Sequence, residues 1–113
     1  MNMVTLEVSA REKSDGRFIS ALKGNPEGAF IVFETPALLF KVLSGKRWDL
    51  LKALAGAGPM TIRETARRAH RDVKAVHGDI HSLLRAGILE KTEDGKIIFP
   101  FDAVHVDFMV NVA

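Results

Sequence analysis

The sequence predicts an α+β fold, a helical module closed by a β-hairpin, with additional β-strands on its N-terminal and C-terminal sides. Three observations predict it. Residues 45–86 carry helical spacing of apolar side chains, interrupted at Ala55-Gly56-Ala57-Gly58-Pro59 and again at His70-Arg71. Residues 88–91 and 97–99 are short β-rich runs on either side of Glu93-Asp94-Gly95-Lys96, whose Asp-Gly pair is a hairpin signal. Outside this region, Val4, Leu6 and Val8, the run Phe30-Ile31-Val32-Phe33, and Val104, Val106, Phe108 and Val110 read as strands.

Each element has a local cause. The alternation around residues 5–10 predicts a first strand, and Ser14 to Gly16 a turn. Residues 17–23 fit a short helix or a strand equally, and Gly24-Asn25-Pro26-Glu27-Gly28 is a loop. A second strand covers residues 29–34. Thr35-Pro36 then opens a helix to Leu43, because threonine can cap exposed amides and proline at the first helical position loses no hydrogen bond. Ser44 is placed to cap the next helix, residues 45–54, with Trp48, Leu51 and Ala55 on one face beside Leu50 and Leu54. Thr61 and Glu64 form a capping box for a short helix whose small, apolar side is Ile62, Thr65, Ala66 and Ala69. Asp72 caps a longer helix, residues 73–86, with an inward stripe of Val73, Val76, Ile80, Leu83 and Leu84, terminated by Gly87. Pro100 keeps the hairpin ladder from continuing.

The chain has 113 residues, 47% of them hydrophobic, which suits one small core-forming module with short elaborations. The expected division is residues 1–43, an N-terminal β/α extension that could dimerise; residues 44–100, the helical module; and residues 101–113, a strand on the extension or on a partner subunit. Cysteine is absent, so neither a disulfide framework nor a thiolate metal site is available, and a cytoplasmic location is expected. Nothing in residues 1–17 reads as a signal peptide, and no run reaches bilayer-spanning length. The net charge of +2 conceals an asymmetry. Residues 44–91 hold ten Lys or Arg against five acids, the first 43 residues balance, and the tail from Thr92 is net −3. A basic centre between neutral and acidic flanks suits a polyanionic partner.

Helix, short helix, tight turn, longer helix, hairpin is the order of a winged helix-turn-helix, in which the longer helix enters the major groove and the hairpin is the wing. With the apolar stripe turned inward, Lys74, Ala75, His77 and Gly78 remain as base-reading candidates. The phosphate candidates are Arg63, Arg67, Arg68, Arg71, His81, Lys91 and Lys96. Gly78 costs about 1 kcal/mol against alanine in a helix interior, for which close packing or close DNA approach would account. Asp79 opposes DNA if it points outward; pairing with Arg71, Lys74 or a hairpin lysine would neutralise it.

These residues carry a resemblance. Lys46-Arg47-Trp48-Asp49-Leu50-Leu51-Lys52-Ala53-Leu54, Gly58-Pro59-Met60-Thr61-Ile62-Arg63-Glu64-Thr65-Ala66 and Arg71-Asp72-Val73-Lys74-Ala75-Val76-His77-Gly78-Asp79-Ile80, followed by Gly87-Ile88-Leu89-Glu90-Lys91 and Asp94-Gly95-Lys96-Ile97, resemble the winged-helix regulators of the broad MarR/ArsR-like group of prokaryotes. The resemblance covers about half the chain. It implies a sequence-specific, double-stranded DNA-binding transcriptional regulator, a repressor acting as a homodimer, with the helix after Asp72 as recognition helix. Some members look like antitoxins, so the alternative is an interaction module that binds a toxin and autoregulates its operon. Gly78 departs from the pattern, since relatives often carry a longer or basic side chain there.

His77 and His81 lie four apart on one helical face and could share a ligand, but residue 78 is glycine and 79 aspartate, so no His-Glu-x-x-His motif forms. No nucleophile elbow or phosphate-binding glycine loop is present. Neither a catalytic site, a metal nor a cofactor is expected.

Overall fold

The computed structural model describes residues 2–8, 17–19 and 29–109. The turn expected at residues 14–16, the loop at residues 24–28 and the end of the last strand at Val110 lie outside these residues. The chain divides into two compact units, one formed by residues 1–41 with 101–113 and the other by residues 42–100. Together the described residues make a small α+β protein with four helices.

The first unit is built on a four-stranded sheet. Its strands are β1 (Met3–Val8), β2 (Arg17–Ile19), β3 (Ala29–Phe33) and β6 (Ala103–Asp107), in the order β2-β3-β1-β6. β1 is central and runs parallel to both β3 and β6, while β2 is antiparallel to β3. Residue 17, where the sequence left helix and strand open, therefore begins a strand. The register Leu6↔Ile31 and Val8↔Phe33 puts the apolar residues of β1 and β3 on one face, and Val4, Leu6, Ile31 and Phe33 are buried. Thr5, on the other face, is also buried, as a central strand covered on both sides would be. The sequence-distant strands β1 and β6 are clipped at one end: the Asn2 amide donates to Asp102 Oδ2 (2.9 Å) and the Asp102 amide donates to the Asn2 carbonyl (2.6 Å). The edge strand β6 is less covered; Val104 is half-buried and Val106 exposed.

Helix α1 (Pro36–Val42) starts as its sequence predicts, with Thr35 Oγ1 accepting from the Leu38 amide at 3.1 Å. Its exposed Phe40 meets Phe108 edge-on, ring centroids 5.8 Å apart.

The second unit holds α2 (Gly45–Leu54), α3 (Ile62–Ala69), α4 (Val73–Arg85) and the antiparallel pair β4 (Glu90–Lys91) and β5 (Ile97–Ile98). The three helices pack on one another through Leu50, Leu51 and Leu54 of α2, Thr65 and Ala66 of α3, and Val76, Ile80 and Leu83 of α4, all buried. Small Ala66 and Thr65 let α3 approach closely. The Thr65 hydroxyl is satisfied inside the core by donating to the Thr61 carbonyl at 2.9 Å.

Four local expectations are corrected. Ser44 occupies the N-cap of α2 in an extended conformation, but its side chain makes no capping hydrogen bond. Ala55 is exposed because the chain turns extended there and leaves the helix, and Trp48 is only half-buried. Val73 is 37% exposed, too near the start of α4 to reach the core its stripe points to. The run predicted as a strand from residue 88 pairs only at Glu90–Lys91. The Ile88 and Leu89 amides donate instead to the Leu83 carbonyl, closing α4 with Gly87 at φ 84°, and both side chains are buried. One pairing escaped the sequence reading. Met60, just after Pro59, exchanges two backbone hydrogen bonds with Ile97 (2.9 and 2.8 Å), so the hairpin is tied to the segment before α3.

Candidate nucleic-acid interface

The α3–turn–α4 segment is fixed by its caps. The Glu64 amide donates to Thr61 Oγ1 (3.0 Å) and the Thr61 amide to Glu64 Oε1 (2.8 Å). These hydrogen bonds, from the Thr61 backbone first, hold the Glu64 carboxyl below its ordinary range, and the nearby charges of Lys96 and Arg67 act in the same direction. His70 ends α3 in the left-handed region, φ 57°, and the Arg71 amide donates to the Ala66 carbonyl at 3.0 Å. Asp72 then opens α4, its Oδ2 accepting from the Lys74 amide (3.1 Å) and the Ala75 amide (3.2 Å). Two capped helices separated by three residues, the first of them left-handed, make a short, well-determined turn.

This geometry decides which face of α4 is outward. Val76, Ile80 and Leu83 are fully buried, so Lys74, His77, Gly78 and His81, at intervals of three and four, follow the opposite stripe. Lys74, Ala75, His77 and Gly78 are all exposed, and His81 is half-buried. On α3, Arg63, Arg67 and Arg68 are exposed; on the hairpin, Lys91 is exposed and Lys96 half-buried. The His77 and His81 rings face each other, with Nε2 atoms 3.2 Å apart. Partial burial, followed by the positive fields of His77, Lys91 and Arg85, lowers the proton affinity of His81.

Arg71 is placed differently from the other arginines. Its Nη2 donates to Asp79 Oδ2 at 2.8 Å, and Arg47 Nε of α2 donates to Asp79 Oδ1 at 3.1 Å. Each of the three side chains is only about one-fifth exposed (18–20%). Burial works against ionisation of Asp79, but the hydrogen bonds and charges of Arg71 and Arg47 outweigh it and hold the carboxyl below its ordinary range. Asp79 is thus a neutralised anchor across α2, the turn and α4. Arg47 was visible in the sequence only as one of many cations, because its partner lies 32 residues away.

Gly78 is the other informative position. Among the described residues a methyl group built on it would meet nothing within 4 Å, so close packing does not account for this glycine. Gly78→Ala should therefore stabilise the protein by about 0.5–1 kcal/mol through helix propensity alone. A rise in the urea midpoint at unchanged slope would show it, and a fall would mean the position is crowded.

The sequence model of one family, HVO_A0114, matches residues 42–106, more than half of the chain. The chain belongs to the HVO_A0114 family. The matched stretch takes in the whole second unit of this family member and runs on into β6. No curated protein and no solved structure matches the chain. Among the described residues, no helix is long and apolar enough to cross a membrane.

Proposed function

We propose that residues 44–100 form a winged helix-turn-helix of the MarR/ArsR-like kind and that the protein is a sequence-specific, double-stranded DNA-binding transcriptional regulator, a repressor working as a homodimer in the cytoplasm. In this reading α4 is the recognition helix and the β4–β5 hairpin the wing. The observation that carries it is the outward stripe of α4. An amphipathic helix of 13 residues, capped at the end of a tight turn, turns Lys74, Ala75, His77 and Gly78 to solvent, a face both small enough and polar enough to enter a major groove. The exposed Arg63, Arg67 and Arg68 of α3, with Lys91 and Lys96, supply cations for the phosphates. Arg71 serves the fold, through Asp79. The open space at Gly78 supports the groove reading over packing. The homodimer is supported by the exposed Leu38, Phe40, Val106 and Met109 of the first unit, apolar surface that a second copy would cover.

The test is footprinting and mobility shift on DNA upstream of the protein's own gene, across a range of salt. Arg67→Ala should weaken binding to all sequences alike and lower the salt slope by about 1, whereas Lys74→Ala should weaken operator preference by about 1–3 kcal/mol. Absence of specific protection at every salt concentration would end the reading.

A further inference from the structure

The sequence argued against a metal because His77 and His81 form no His-Glu-x-x-His motif and cysteine is absent. The structure adds what spacing alone does not give, the distance between the donor atoms. The two Nε2 atoms are 3.2 Å apart and the ring centroids 4.2 Å apart, with the planes tilted by 45°. Zinc–imidazole bonds of about 2.0–2.1 Å at tetrahedral angles require ligand nitrogens separated by roughly 3.3 Å. The pair is therefore already set at the edge of a coordination tetrahedron.

We propose that His77 and His81 chelate one Zn2+ or a chemically similar borderline dication, such as Ni2+ or Cu2+, on the outward face of α4. Imidazole nitrogen is a good ligand for these ions and a poor one for Mg2+ or Ca2+, which take oxygen. Among the described residues no group of three or more His, Cys, Asp or Glu side chains is assembled. The remaining coordination positions accordingly belong to water, and the site is open and exchangeable rather than structural. In the metal-free pair one Nε2–H donates to the other Nε2. On binding, that imidazole moves its proton to Nδ1 by exchange with solvent, both Nε2 lone pairs face the ion, and no net proton is released. The i, i+4 spacing brings both rings to one face of the helix before binding, which limits the side-chain freedom to be lost. The neighbouring cations Lys91 and Arg85 repel the incoming ion and keep the affinity moderate.

The inference is independent of DNA binding, and so is its test. Titration of the full chain with ZnCl2 by calorimetry in a non-chelating buffer should give one saturable site per chain. His77→Ala and His81→Ala should each weaken it at least tenfold, whereas His70→Asn and His105→Ala should leave it unchanged; asparagine is chosen at residue 70 because it tolerates the left-handed backbone. Circular dichroism of the two alanine variants should match the native spectrum, since alanine is favourable at helix positions. Long-range 1H–15N spectra should show both Nε2 resonances, and neither Nδ1, shifting as for a metal ligand. Absence of a saturable site, loss in only one of the two variants, or a shift at a single imidazole would overturn the proposal.

Discussion

Asp79→Ala should destabilise the protein by roughly 2 kcal/mol at neutral pH, a size between the 0–1 kcal/mol of an exposed pair and the 3–5 kcal/mol of a fully buried one that loses a partner. Asp79 accepts from Arg71 at 2.8 Å and from Arg47 at 3.1 Å, and all three side chains are about four-fifths covered. Removing the carboxylate leaves two guanidinium groups facing each other with little water to screen them. The Nη1 atom of Arg71 is already buried without a hydrogen-bond partner among the described residues, so Asp79 is the main anchor of that side chain. Arg47 also donates to the Val42 carbonyl at 3.1 Å and should be the less disturbed of the two. The pH dependence has a definite sign. The folded-state affinity of Asp79 for a proton is below that of the unfolded chain, so its contribution is complete above the ordinary carboxylate range and disappears as pH falls through the folded value. The difference between native and Asp79→Asn stabilities, from urea unfolding at a series of pH values, should be constant near neutrality and close toward pH 3 and below. A gap that persists at low pH would mean that shape, and not charge, is what Asp79 contributes.

Much of this arrangement was legible in the sequence because its causes are local. Thr61 with Glu64, Asp72 before α4, Gly87 and Gly95 each act within one turn, through a cap or a backbone region that few residues enter. The buried stripe of α4 was legible for a similar reason: Val76, Ile80 and Leu83 follow helical spacing whatever packs against them. What could not be read depends on partners distant in sequence. The Arg47–Asp79 pair joins two helices, the Met60–Ile97 bridge joins a segment labelled as loop by its Gly58-Pro59, and the parallel pairing of β1 with β6 joins residues about a hundred apart. The shortening of the strand at Ile88 is an intermediate case. Its β-rich side chains suggested pairing, but the carbonyls at the end of α4 took its amide and that of Leu89 first. For the candidate interface, periodicity identified the stripe of Lys74, His77, Gly78 and His81. Pairing of Asp79 with Arg71 was one of three open to it in the sequence and is the one the fold makes; the empty space beside Gly78 had no signal there.

That empty space makes Gly78→Glu the most discriminating substitution for the proposed DNA interface. Most changes at an interface carry a folding penalty that confuses the result. Here an added Cβ meets nothing within 4 Å among the described residues, and glutamate is a better helix former than glycine, so the variant should be at least as stable as the native chain. If α4 enters a major groove by this face, the same substitution places bulk and a negative charge between the helix and the DNA. The loss should be about 2–3 kcal/mol, roughly 30- to 150-fold in affinity, by comparison with the discrimination lost at a single wrong base contact. The effect should be larger on operator than on random DNA, because in the proposed interface non-specific binding would rest on the arginines of α3 and the hairpin lysines. Gly78→Ala provides the intermediate: a methyl group without charge, stable, and only mildly impaired if the approach at residue 78 is close. Unaltered operator affinity in a stable Gly78→Glu protein would remove the outward stripe of α4 from the interface, while the cations of α3 would remain to be tested through their salt dependence alone.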